Sequence, residues 1–298
     1  MDAYDVIIAG GGPAGLSAAL MLGRSRRSVL VLDAGDPRNA RANHSHGVLG
    51  HDGLPPLQLL EHGRRELARY GVEVRRATAL DARIDAAGVE VRTDAGVERA
   101  RRLIVATGMA DDLPDIPGVH ERWGTTVVVC PYCDGWEHRD QRIGVLASGA
   151  GGVQQAQLMR QWSPDVIYFG GELTGPEPVD AIAMDARGIR IERRGIDAVV
   201  DAASVRLADG EIVELDVLFL HPRPRPRDAL LRELGVATDE RGWAVVDASG
   251  RTGVPNVWAV GNLVNVNTNV PVAMASGSMA GGAVNADLVA EDIALALA

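Results

Sequence analysis

The run Asp5-Val6-Ile7-Ile8-Ala9-Gly10-Gly11-Gly12-Pro13-Ala14-Gly15, near the start of the 298-residue chain, decides how the rest is read. A β-branched apolar run ends in glycines, and a stretch rich in Ala, Leu and Met continues through Arg24 with helical character. A second apolar strand, residues 28–32, ends in Asp33. Strand, glycine turn, helix, strand and acid, in that order, make a dinucleotide-binding βαβ unit. Gly10 permits the tight turn, Gly12 lets backbone approach a pyrophosphate, and Gly15 lets the helix pack close to the strand. Pro13 and Ala14 open a helix whose N-terminus offers unpaired N–H groups and a positive dipole end to phosphate. Asp33 is placed to accept from ribose hydroxyls.

Outward from this unit, residues 71–101 alternate as short strands with a turn at Asp94-Ala95-Gly96, and a buried strand, residues 103–106, ends in Thr107-Gly108. Much the same order then recurs. A strand at 142–146, a glycine-rich turn at 147–152 and a helix at 153–161 precede a strand at 165–169. Short strands between 189 and 213 and a closing strand at 217–220 complete the copy. Pro-rich breaks at 111–117 and 222–226 bracket it. The expected fold is therefore α/β, with two Rossmann-like domains: residues 1–112 and 224–298 form a split first domain, and 113–223 a second inserted in it. In the tail, a strand and turn over 254–262 precede a helix from about Pro271 through Ala286. Its Ala, Ser and Gly run suits close contact with a strand or a flat ring system, or simple helix packing.

A formal charge of −10, with every basic side chain an arginine and none clustered, argues against nucleic acid or an anionic membrane as partner. No apolar run approaches the roughly 18–20 residues of a membrane span. The acidic start, Met1-Asp2-Ala3-Tyr4-Asp5, does not resemble a signal peptide, so a soluble cytoplasmic protein is expected. The only two cysteines stand in Cys130-Pro131-Tyr132-Cys133. So short a loop gains little from a structural staple. A zinc site would need two further ligands, and no second knuckle follows, so no metal is expected. Redox chemistry is the reading that remains.

Taken in order, the GGGPAG turn, the ATG ending at Gly108, the CxxC followed by Asp134-Gly135 and the AVGN segment ending in Gly261-Asn262 resemble the low-molecular-weight thioredoxin reductase family over nearly the whole chain. The resemblance implies a homodimer, FAD in the split domain, and an inserted NAD(P)-binding-like domain carrying the cysteines. It implies that Cys133 lies nearest the flavin, that Cys130 exchanges with substrate, and that Asp134 is the general acid/base. Asn262 stands where the family has an Asp for the ribityl chain and still offers hydrogen bonds. The segment Asn267-Thr268-Asn269-Val270-Pro271 would meet the pyrimidine edge of the flavin at a helix N-terminus.

Two departures shape the functional expectation. In the second glycine turn the three key positions read Ala147, Gly149 and Gly152, and the slot for a 2′-phosphate reads Gly170-Gly171-Glu172, without a cation. Arg193 and Arg194 come later and read as solvated strand-edge charges, so NADPH binding is expected to be lost. The Pro131-Tyr132 pair is similar to that of FAD-dependent dithiol oxidases of the gliotoxin and holomycin type. The expectation is thus oxidation of a small-molecule dithiol to a disulfide, with O2 as acceptor. An NAD(P)H-dependent thioredoxin-disulfide reductase, acting on a protein disulfide, is the alternative, and a non-catalytic flavin-binding redox sensor a third. Tyr132 and Trp136 would wall a flat heterocycle or simply pack. Of His44, His46 and His51, His46 is the preferred base for a substrate thiol.

Overall fold

A computed structural model describes residues 4–147, 151–171 and 175–298. Gly149 and Glu172, read above as part of the second nucleotide site, lie outside the described residues. The chain divides into two compact units, one of residues 1–40, 56–110 and 225–298, the other of 41–55 and 111–224.

In the first unit, β1 (Tyr4–Ala9), α1 (Pro13–Arg24) and β2 (Val29–Asp33) form the βαβ motif, followed by α2 (Pro56–Ala68) and β3 (Glu73–Arg76). Strands β4 (Ala79–Asp85), β5 (Gly88–Thr93) and β6 (Gly96–Val105) form an antiparallel meander on the same sheet, ordered β3-β2-β1-β6-β5-β4. Strand β6 serves both parts: its first half pairs antiparallel with β5, and its second half runs parallel to β1, with Leu103 opposite Ile7. Ile7 and Ile8 are both fully buried although they point to opposite faces, as expected for a parallel strand covered on both sides. Each such side chain contributes about 1.5–3 kcal/mol of burial free energy.

Strands β7 (Met109–Asp112) and β16 (Arg223–Pro226) pair as a two-stranded ribbon where the chain passes between units. The second unit then runs α3 (Val119–Arg122), β8 (Val127–Val128), α4 (Pro131–Asp134), β9 (Ile143–Leu146), α5 (Gly152–Met159), β10 (Val166–Phe169), α6 (Pro178–Ala186) and β11 (Arg190–Glu192). A three-stranded sheet of β12 (Ile196–Val200), β13 (Ser204–Leu207) and β14 (Ile212–Val213) precedes β15 (Val217–Leu220). The parallel sheet is ordered β11-β10-β9-β15-β8. The repeat of plan extends to atoms: Gly10 N–H donates to Leu32 O at 2.8 Å, and Ala147 N–H to Phe169 O at 3.1 Å.

Back in the first unit, α7 (Ala229–Glu233), β17 (Val257–Ala259) and α8 (Val270–Leu297) complete the fold, β17 adding to β6 with Trp258 opposite Ile104. Helix α8 is longer than its small-residue run implies. Its last turns are held by ion pairs that no local pattern announces: Arg102 to Asp287 at 2.6 Å, Arg101 to Asp292 at 2.6 Å and Arg27 to Asp292 at 2.8 Å. The glycines of α8 allow it to lie on α1. A Cβ at Gly277 would fall 1.9 Å from Ala14 O, and one at Gly281 2.7 Å from Ala18 O. The small-residue face is thus a helix–helix contact. Among the described residues, no helix is long and apolar enough to cross a membrane.

Candidate redox-active site

Cys130 and Cys133 form a disulfide with Cα atoms 5.2 Å apart. Strand β8, paired to β15, delivers the chain to Val129, and the buried Gln155 of α5 fixes that residue by donating to Val129 O at 2.7 Å. Cys130 caps the single turn α4, and its carbonyl accepts from the N–H groups of Cys133 and Asp134, both at 3.1 Å. Pro131 at the first helical position suits this start, since its missing N–H would have no helical partner. The turn can continue into Gly135 only because that residue has no side chain: a Cβ there would sit 2.4 Å from Pro131 O and 3.0 Å from the Trp162 ring.

Asp134 follows directly. Burial pushes its carboxyl up to about 6, the nearby Glu137 adds to the rise, and the charges of His138 and His46 oppose it. A carboxyl so displaced changes protonation near the pH at which thiols exchange, which suits a general acid/base. His46 belongs to the loop 41–55, which groups with the cysteine-bearing unit rather than with the strand it follows. Its Nδ1 lies 3.4 Å from Asp52 Oδ2 and its Nε2 3.5 Å from Glu137 Oε1. His44 instead uses Nδ1 on Gly53 O at 3.0 Å, and His51 is exposed on the same loop.

Tyr132 and Trp136 are both mainly exposed, so neither is a core residue. Tyr132 meets the edge of Trp162 at 5.7 Å, and the Arg139 guanidinium covers Trp136 at 4.3 Å. Gln155, Trp162, Glu137 and Asp52 are additions that sequence reading missed. Glu137 carried a faint signal, lying one helical turn past Asp134; the others carried none.

The glycine turn has the shape its sequence requires. Gly10 has φ of 118°, and a Cβ on it would reach within 2.3 Å of Ala106 O. Gly15 packs against the Gly10 carbonyl, while a Cβ on Gly12 would meet nothing within 4 Å. That open side faces the start of α1, whose first turn has no side-chain cap and no acid; Pro13 stands at its head and Ala14 behind it. Asp33 is buried under Gly11, accepting from Gly35 N–H at 2.7 Å and from Arg64 at 2.7 Å. Thr107 and Gly108 are tied to Arg227, the hydroxyl donating to its carbonyl at 2.7 Å and Gly108 O accepting its N–H at 2.9 Å.

Gly261 takes φ of 72° and accepts no Cβ without crowding Ala14. Asn262 has a role in the chain itself: its amide donates to the carbonyls of Asn265, Val266 and Thr268 at 3.2, 3.3 and 2.9 Å. An Asp cannot donate to carbonyls, which accounts for the amide at this position. Asn269 caps α8 by accepting from Val272 N–H at 3.1 Å, with Val270 and Pro271 as its first residues.

In the second glycine turn, Ala147 is not among the described residues with positive φ, so the turn does not demand glycine there. Gly152 supplies the close helix contact, since a Cβ on it would lie 3.1 Å from Ala147 Cα. Arg194, read as a solvated charge, is instead engaged by Glu192, Asp209 and Glu211; Arg193 is exposed.

Residues 4–277 match the family model of the pyridine nucleotide-disulphide oxidoreductases. The chain is 34% identical over 305 residues to thioredoxin reductase tcpT of Claviceps purpurea, covering 96% of this chain and 95% of that one. It is 30% identical over 334 residues to a probable thioredoxin reductase of Arthroderma benhamiae, covering 99% and 82%. The crystal structure of HlmI superposes with a TM-score of 0.95 at 41% identity, covering 99% of this chain and 95% of that one.

These matches correct the functional expectation. The relatives are thioredoxin reductases and the family is defined by a pyridine nucleotide, so an O2-consuming dithiol oxidase gives way to the nicotinamide-dependent alternative. The error was to equate a missing 2′-phosphate cradle with a missing nicotinamide site. NADH needs no such cradle, and among the described residues β9 pairs in parallel with β10 and β15 as a nucleotide-binding sheet requires. The two-domain Rossmann-type architecture and FAD as cofactor, both expected from the sequence, accord with the family. With its cysteine pair and its two nucleotide-type units, the chain belongs to the pyridine nucleotide-disulphide oxidoreductase family, as a thioredoxin-reductase-like enzyme.

Proposed function

We propose that this chain is an FAD-dependent disulfide reductase that takes electrons from NAD(P)H and passes them through Cys130 and Cys133 to a disulfide-bearing small molecule or protein. The observation that carries the reading is the Cys130–Cys133 disulfide followed at once by a half-buried Asp134 whose carboxyl is pushed up to about 6. FAD, when bound, supplies the two-electron relay between nicotinamide and disulfide. The Gly10–Gly15 turn and the first N–H groups of α1 would hold its pyrophosphate, for which the open side of Gly12 leaves room. Asp33 keeps lone pairs for ribose hydroxyls beside those used by Gly35 and Arg64. Thr107, Gly108, Gly261 and Asn262 would line the flavin side, with Asn269, Val270 and Pro271 presenting the N-terminus of α8.

The Pro131-Tyr132 pair and the exposed Tyr132 and Trp136 support a small, flat sulfur compound as the disulfide substrate. A cytoplasmic homodimer is the proposed working form; α8 leaves Val272 and Met279 exposed.

Reduction should be tested by following NADH and NADPH consumption with an aryl disulfide acceptor. Both Gly170 and Gly171 lack charge and Arg194 is already paired, so NADH is expected to serve at least as well as NADPH. Turnover with neither nucleotide overturns the proposal.

A further inference from the structure

Two carboxylates converge on His46. Asp52, from the same loop, approaches Nδ1, and Glu137, just beyond α4, approaches Nε2. The Asp52 carboxylate is itself fixed: Gly47 N–H donates to its other oxygen at 2.8 Å, and this bond, then His46, holds its pKa below the ordinary carboxylate value. The loop is shaped for this contact. Ser45 and Leu54 form an antiparallel bridge, and Gly47, Gly50 and Gly53 take positive φ between them. The loop is anchored at its start, where Arg41 donates to His120 O at 3.1 Å. The His44 ring lies 6.2 Å away, and Asp134, three residues before Glu137, feels the charges of His138, Glu137 and His46. His138 is occupied with Gln141 at 2.8 Å.

An imidazole approached at both nitrogens by carboxylates has a fixed orientation. We propose that Glu137 is a positioning residue that holds His46 beside the cysteine turn, so that His46 passes protons between solvent and Asp134 during thiol–disulfide exchange. The inference rests on the exchange chemistry proposed above but not on which nucleotide supplies the electrons.

The step balances as follows. The Cys130 thiolate attacks a sulfur of the substrate disulfide, whose S–S bond breaks as the mixed disulfide forms. The departing sulfur takes a proton from Asp134. The Cys133 thiolate then attacks the Cys130 sulfur, closing the enzyme disulfide and releasing the second substrate sulfur, which takes a second proton. The two protons gained by the substrate are those lost by the two enzyme thiols, and the electron pair is the one NAD(P)H had placed on the dithiol. His46 returns protons to Asp134 between the two transfers.

The test uses the FAD-loaded protein under nitrogen. Reduction of Cys130–Cys133 by dithiothreitol, the same exchange run in reverse, is stopped by alkylation and read by mass between about pH 5 and 8. Glu137→Gln is expected to slow exchange about tenfold near neutrality and to flatten its pH profile, a fraction of the general acid–base effect. His46→Gln should do the same, the double variant no worse than either, and Glu137→Asp should recover most of the rate. Wild-type rate and profile in Glu137→Gln, or losses that multiply in the double variant, would overturn the proposal. Because no nicotinamide is present, a failure of NAD(P)H-dependent turnover registers separately.

Discussion

Cys130→Ser will keep its yellow colour and lose turnover altogether. Colour is retained because the residues assigned to FAD sit in the unit formed by 1–40, 56–110 and 225–298, while Cys130 lies in the other. Turnover is lost because the chain has two cysteines in all, so no third thiol can resolve or replace the missing one. The substituted hydroxyl is a far poorer nucleophile than a thiolate and cannot form a disulfide. The fold should be little affected. Cys130 caps a single short turn through its backbone, which serine keeps, and the closed loop is too short to contribute much stability. Steady-state nicotinamide oxidation with a disulfide acceptor, together with the visible spectrum, checks both halves. Retained turnover would mean that electrons do not pass through this pair.

Asp134→Asn will cost roughly 10²-fold in exchange rate and will change the pH dependence of both rate and stability. In the wild-type chain the thiolate arm of the profile rises with pH, and the acid arm falls as Asp134 loses its proton around pH 6. Asparagine cannot supply that proton, so the falling arm disappears. The stability effect has the opposite sign to the catalytic one. The folded-state value, about 6, lies above the ordinary value of 3.8, so Asp134 contributes most below pH 3.8. That contribution is lost as pH rises through about 6, because an ionised carboxylate must then be kept in a poorly solvated place. The asparagine variant should therefore gain on the order of 1–3 kcal/mol relative to wild type at alkaline pH and show little difference in acid. Urea unfolding at the two pH extremes reads this directly. A variant that is slower but equally stable at both would mean that Asp134 is not held protonated by burial.

How much of this was legible beforehand differs by region. The first βαβ unit was readable almost residue by residue, since each glycine in 10–15 has a local reason: a positive φ, an open approach, or a helix packed on a strand. The second copy was readable as a plan, but Ala147 misled. Its replacement of a glycine looked damaging, and only the backbone shows that no positive φ is needed there. The length of α8 was out of reach because its last turns depend on Arg27, Arg101 and Arg102, which are remote in sequence.

At the cysteines, the redox pair was visible from its spacing, and Asp134 only through the family resemblance. The surroundings were not. Loop 41–55 follows a strand of one unit and yet groups with the other, and nothing in a linear pattern reports that. His46 could be chosen as a candidate, but its carboxylate partners emerge only when the loop is closed and Glu137 is brought to it. The direction of electron flow was the largest misreading. It rested on a phosphate slot without cations, which bears on which nicotinamide is preferred more than on whether one is used.

The most direct measurement is an anaerobic addition of NADH, and separately NADPH, to the purified yellow protein, with flavin absorbance and alkylatable thiols followed together. The account predicts that at least one nucleotide bleaches the flavin and that Cys130 and Cys133, the chain's two cysteines, then become alkylatable. A flavin that stays oxidised and a disulfide that stays closed with both nucleotides would contradict it.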